Sequence, residues 1–185
     1  MIQTIDYQIL DWIQATLRTP WLDAIMPRLT MLGNGGILWV VTALILLLRR
    51  PTRRWGAVLF FSLTVTLVAG DYIIKPLVAR PRPFSGRPEI ELLVSAPKNF
   101  SFPSGHSIGG VAAATVLMHY RRGLGWCALV MAILIMFSRL YLYVHFPTDV
   151  LGGIVIGLVI GFLSIALFER VIFPKLDARK KQAVS

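Results

Sequence analysis

The chain has 185 residues, 56% of them hydrophobic, with 19 Lys and Arg against 9 Asp and Glu. A mean hydropathy of +0.68 excludes an ordinary soluble domain, and the length allows one domain. The net charge of +10 does not indicate nucleic acid, because the basic residues are gathered in short clusters between apolar runs.

The amino terminus, MIQTIDYQILDWIQATLR, has acids among its apolar residues, no basic start and no small-residue cleavage site, so it reads as part of the mature protein. Ile5, Ile9, Trp12, Ile13 and Leu17 recur at helical spacing while Asp6, Gln14 and Arg18 lie elsewhere around the wheel. This predicts an amphipathic helix over 1–20 lying at the membrane interface; a further span packed in the bundle is the competing reading. Apolar runs fit to cross a hydrocarbon core of about 30 Å follow near 30–48, 55–74, 106–120, 124–142 and 150–168, two of them short. The expected fold is therefore all-α: an integral-membrane helical bundle with five to six transmembrane helices, one domain over 1–185.

RRPTRR at 49–54, the arginine pair at 121–122 and KLDARKK in the tail at 170–185 are cytoplasmic by the positive-inside rule. Alternation of the spans then places 75–103 and 139–148 on the outer face. Trp12, Trp21, Trp39, Trp55 and Trp126 fall near span ends and read as interfacial anchors. Cys127, in mid-span, reads as a small buried hydrophobe. Gly153, Gly157 and Gly161 recur every four residues and predict a smooth face for close helix packing.

The unusual residues converge on the outer side. The loop at 75–103 is longer than most helix connections and opens KPLVARPRPF, with Lys75, Arg80 and Arg82 close together. Asp71 stands four residues before Lys75, at pairing distance on a helix. Next comes FPSGHS. A helix starting near Ser104 offers free N–H groups and the positive end of a dipole; Ser104 can cap it, Gly105 admits an anion to the backbone, and His106 stands in the first turn. Last is SRLYLYVHFPTDV, where Arg139 supplies a planar cation for phosphate oxygens. There, too, His145 and Asp149 lie four apart, so a carboxylate can fix the ring and leave one nitrogen free to attack. Cations, amides, two histidines and an aspartate describe phosphoryl transfer without a metal or other cofactor, since that reaction depends on positioning and charge stabilisation.

The three blocks KPLVARPRP, PSGH and SRLYLYVHFPTD, in that order across 75–149, resemble the signature of the type 2 phosphatidic acid phosphatase family of membrane lipid phosphate phosphatases. The resemblance implies that Lys75, Arg82, Ser104, Gly105 and Arg139 bind phosphate. By the same resemblance His106 is the general acid, His145 the nucleophile and Asp149 its orienting acid. The implied partner is a phosphorylated lipid of a bacterial plasma membrane, attacked on the extracytoplasmic side through a phosphohistidine. Undecaprenyl diphosphate is the first expectation, because Arg80 and Arg87 beside the signature could neutralise a second phosphate. Phosphatidylglycerophosphate or phosphatidic acid is the alternative. A lipid carrier without hydrolysis has no need of His145 and Asp149, and the related vanadate haloperoxidases are soluble.

Overall fold

The computed structural model describes residues 2–182, and the described residues are helical apart from their connections. Among the described residues nine α-helices run in chain order: α1 (Ile2–Leu17), α2 (Pro20–Gly33), α3 (Ile37–Leu48), α4 (Arg53–Leu67), α5 (Lys75–Val78), α6 (Gly105–Tyr120), α7 (Arg122–Tyr141), α8 (Pro147–Leu167) and α9 (Phe173–Gln182). A π-helical turn at Val68–Ile74 joins α4 to α5, and another at Phe168–Ile172 joins α8 to α9. Among the described residues four stretches are long and apolar enough to cross a bilayer: Pro20–Leu48, Arg50–Gly86, Arg122–Tyr141 and Pro147–Gln182. The first thus begins about ten residues before the apolar run suggests.

The fifth membrane element is α6, the axis of the bundle, packed on α4, α7 and α8. Its sixteen residues reach only about 24 Å at 1.5 Å per residue, less than a hydrocarbon core. Lipid tails are as apolar as leucine, and helices in a membrane are therefore held by close packing rather than by hydrophobic burial. The sequence meets that need with small residues. A β-carbon at Gly153 would lie 2.6 Å from Ser107 Cβ and 2.9 Å from the Ser104 carbonyl; one at Gly157 would lie 2.6 Å from the Ile108 carbonyl, and one at Gly161 2.9 Å from Thr115 Cβ. The small-residue face expected of the last span is thus the face that meets α6. The opposite side of α8 carries Val155, Phe162 and Leu163, all more than 60% exposed, where lipid would lie.

The two ends of the bundle differ in chemistry. At one end Arg54 pairs with Asp177, Trp55 stacks on Tyr120, and the Tyr120 hydroxyl donates to Glu169 at 2.6 Å, which draws together the basic connections at 49–54 and 121–122 and the basic α9. At the other end lie the loop of residues 79–104, the turn of residues 142–146, and α1, which crosses the ends of α7 and α8.

Three expectations change here. Trp39 is buried against Gly110 of α6 and does not anchor at the interface. Cys127 is exposed on the lipid side of α7. And α1 turns polar groups inward: Asp6 is buried, the Gln14 amide donates to the Tyr141 carbonyl at 2.7 Å, and Ile5, Ile9 and Trp12 face out.

Candidate active site

Lys75, Arg82, Gly105, His106, Arg139 and His145, drawn from all three blocks, line one cavity of about 1020 Å³ at the loop end of the bundle. Met31, Trp39 and Val40 of α2 and α3, with Phe60, Leu63 and Leu67 of α4, form its apolar wall.

Each cation is held by a different device. A π-helical turn carries an extra residue and re-aims the side chains that follow it; the one at Val68–Ile74 brings Asp71 and Lys75 to the cavity as an ion pair. Arg82 sits between prolines in extended backbone. Its guanidinium donates to the Asn99 carbonyl at 2.8 Å, the Asn99 side-chain oxygen at 2.6 Å and the Val144 carbonyl at 2.6 Å. Arg139, in the last turn of α7, donates to the Thr30 hydroxyl at 2.5 Å. Arg82 and Arg139 are therefore buried charges whose hydrogen bonds go mainly to neutral oxygens, which leaves a net positive potential for an anion. Arg139 Nε is buried with no partner.

His145 is fixed by what stands on either side. Arg82 Nη1 lies 3.3 Å from Nε2, and a guanidinium can only donate, so Nε2 carries the lone pair. The proton then belongs to Nδ1, which faces Asp149 Oδ2 at 3.5 Å. Burial, helped by the charges of Arg139 and Arg82, lowers this imidazole to about 3 against the pull of Asp149, so the ring is neutral at physiological pH, with the Nε2 electron pair accepting from Arg82.

Asp149 is fully buried. It accepts from the Phe146 N–H at 2.8 Å, from Ser101 Oγ, and from Arg80 Nη1 at 2.5 Å. Arg80 also bonds Asp6 at 2.7 Å and lies 4.0 Å over the Phe146 ring, while Asp6 accepts from the Thr148 N–H at 3.1 Å. Arg80 thus stands behind the site as a bridge from Asp149 to α1, and Arg87 pairs with Asp11 at 3.2 Å. Neither lines the cavity. The expectation of a second-phosphate contact inside the cavity therefore fails for both, and two carboxylates already claim Arg80.

At the start of α6, Ser104 is buried, accepts the Ser107 N–H at 3.4 Å as the helix cap, and donates its own N–H to the Asp149 carbonyl at 3.1 Å. Gly105 opens toward Lys75, whose Nζ would be 3.8 Å from a β-carbon there. His106 Nε2 lies 3.1 Å from Asn34 Oδ1. Among the described residues no three His, Cys, Asp or Glu side chains gather as metal ligands. Sequence reasoning missed Asp6, Thr30, Asn34, Asn99 and Ser101. Only Asn99 and Ser101 had a signal, lying just before FPSGHS in NFSFPSGH.

The model of the PAP2 superfamily matches residues 55–173. The chain belongs to that superfamily, and it is a membrane-embedded phosphatase of it. Among curated proteins it is 34% identical over 147 residues to the undecaprenyl-diphosphatase of Sulfolobus acidocaldarius, covering 79% of this chain and 70% of that one. Among solved structures it is similar to the transmembrane PAP2 type phosphatidylglycerolphosphate phosphatase from Bacillus subtilis. Identity there is 29% and the TM-score 0.73, over 92% of this chain and 87% of that one. Aquifex aeolicus LpxE is similar at 28% identity and a TM-score of 0.75, over 87% and 94% of the two chains.

Arg80 bridges two buried carboxylates, so Arg80→Leu leaves Asp6 and Asp149 without their shared cation. Breaking a buried pair in this way costs about 3–5 kcal/mol. Thermal unfolding of the protein in detergent is expected to show a large loss for Arg80→Leu and a smaller one for Arg87→Leu, whose partner is on the surface; equal stability of Arg80→Leu and wild type would contradict the bridge.

Proposed function

We propose that this phosphatase hydrolyses a polyprenyl diphosphate, undecaprenyl diphosphate in the first place, at the extracytoplasmic face of a bacterial plasma membrane and without a metal. The observation that carries the reading is the joining of a cationic floor to an apolar wall in one cavity: a phosphorylated headgroup meets Lys75, Arg82 and Arg139 while its tail lies along α3 and α4. The undecaprenyl-diphosphatase activity named for the Sulfolobus relative supports this substrate.

The geometry supports a two-step reaction. The bound phosphate takes over the hydrogen bonds of Arg82 and Arg139, with the Gly105 backbone alongside. His145 Nε2 attacks phosphorus in line, a P–N bond forms and the bridging P–O bond breaks. Asp149 stabilises the imidazolium-like ring through Nδ1, and His106 gives its proton to the departing lipid oxygen. Water then attacks the phosphohistidine, His106 takes the water's proton, the P–N bond breaks and inorganic phosphate leaves. The cations do the work a divalent ion would do, stabilising charge on the transferring group.

A monoester such as phosphatidylglycerophosphate is the second reading. It is favoured by the cavity's three lining cations, enough for one phosphate once Arg80 and Arg87 are removed from the count, and by the likeness to the Bacillus structure.

One mixed-micelle assay, with EDTA present throughout, separates these. The expected result is kcat/KM for undecaprenyl diphosphate at least tenfold above phosphatidylglycerophosphate and phosphatidic acid, about 1.4 kcal/mol in transition-state binding. A tenfold preference for a monoester establishes the second reading, and activity lost to EDTA and restored by magnesium overturns the metal-free mechanism.

Sidedness rests on the basic clusters at the end opposite the cavity. With Cys127 replaced, Ser95→Cys is expected to react with an impermeant thiol reagent in intact cells and Arg50→Cys to be protected; the reverse pattern would put the site in the cytoplasm.

A further inference from the structure

The first membrane stretch is broken in the middle. Between α2 and α3 the chain reads Gly33-Asn34-Gly35-Gly36, and it interrupts 29 residues that are otherwise apolar enough to span the bilayer. Unwound backbone at membrane depth leaves N–H and C=O groups without partners, and it is tolerated where it lines a polar cavity. This one does line the cavity, since all four residues are in its wall.

Each residue of the break has its own reason. Gly35 and Gly36 stand at φ +58 and +68, with open space where a β-carbon would be, so they are glycine for backbone conformation alone. Gly33 is the opposite case. A β-carbon there would fall 2.4 Å from His106 Cδ2 and 2.9 Å from Ile135 Cγ2, so the end of α2 lies flat against the imidazole. The two conditions together deliver Asn34, whose side-chain oxygen stands 3.1 Å from His106 Nε2.

We propose that Asn34 is the positioning residue of the general acid: the break exists to hold the His106 ring and to keep its transferable proton on Nε2, on the cavity side. This rests on the assignment of His106 as the acid. An amide is suited to the task because it is neutral and can act both ways. Its oxygen accepts from a protonated Nε2, and its NH₂ can donate to the same nitrogen once the proton has gone. A carboxylate in its place would retain the proton by charge and oppose its transfer to the leaving oxygen.

The inference is tested by choosing leaving groups. The alkoxide of dodecyl phosphate cannot depart without a proton, whereas the nitrophenolate of p-nitrophenyl phosphate departs without one. A residue that acts through the acid therefore matters more for the first than for the second, and a residue that only holds the fold matters equally for both. Asn34→Ala, Asn34→Ser and His106→Ala are assayed on the two substrates as purified full-length proteins in detergent. The expected result is that each Asn34 variant loses at least tenfold more kcat/KM on dodecyl phosphate than on p-nitrophenyl phosphate, and that His106→Ala shows the same selectivity more strongly. Equal losses on both substrates in the Asn34 variants, or no loss on dodecyl phosphate, overturn the role of Asn34 while leaving His106 as the acid. Equal losses in His106→Ala overturn the general-acid reading itself.

Discussion

The constraint on which the structure depends is the placing of three like charges, Lys75, Arg82 and Arg139, around one cavity at the ends of apolar helices. Each is nearly buried; burying a charge is costly unless it is hydrogen-bonded, and cations so close repel each other. The usual remedy, a carboxylate for every cation, would cancel the field that a phosphate needs. The protein instead satisfies Arg82 with carbonyl and amide oxygens and Arg139 with a hydroxyl, and gives a carboxylate only to Lys75. Positive potential is kept while hydrogen bonds are supplied.

Much of the fold serves that arrangement. The loop of residues 79–104 brings Asn99 to Arg82, α2 brings Thr30 to Arg139, and the π-helical turn after α4 brings Asp71 to Lys75. The remaining carboxylate of the centre, Asp149, is kept behind His145 by Arg80, and Arg80 is balanced by Asp6 of α1. The amino-terminal helix is thus tied to the candidate site by charge, which explains why it carries Asp6 inward and Ile5 and Ile9 outward.

What could be read from the sequence was what is local in it. The four-residue steps of Gly153, Gly157 and Gly161 lie on one helix, and that of Asp71 and Lys75 runs from the π-helical turn straight into α5, so spacing places each set on one face. His145 and Asp149 instead meet because the turn before α8 folds the ring back onto the first turn of that helix. The three blocks were legible as a signature, and their residues line or back one cavity. The polar partners were not legible, because Asp6 meets Arg80 across 74 positions and Asn34 meets His106 across 72. The outward or inward facing of Trp39 and Cys127 was also hidden: with lipid on one side and apolar protein on the other, hydrophobicity does not tell the two apart. The same blindness passed over Gly33-Asn34-Gly35-Gly36, which reads as a weak spot in an apolar run until His106 is seen against it.

The account stands on His145 presenting an unprotonated Nε2 to phosphorus, and trapping the covalent intermediate tests that most directly. Purified protein mixed with ³²P-labelled lipid substrate, quenched within a turnover and digested for mass spectrometry, is predicted to carry an acid-labile, base-stable phosphate on His145, and the label is predicted to be absent from His145→Ala. Phosphate found on another residue, or full turnover by His145→Ala, would contradict it.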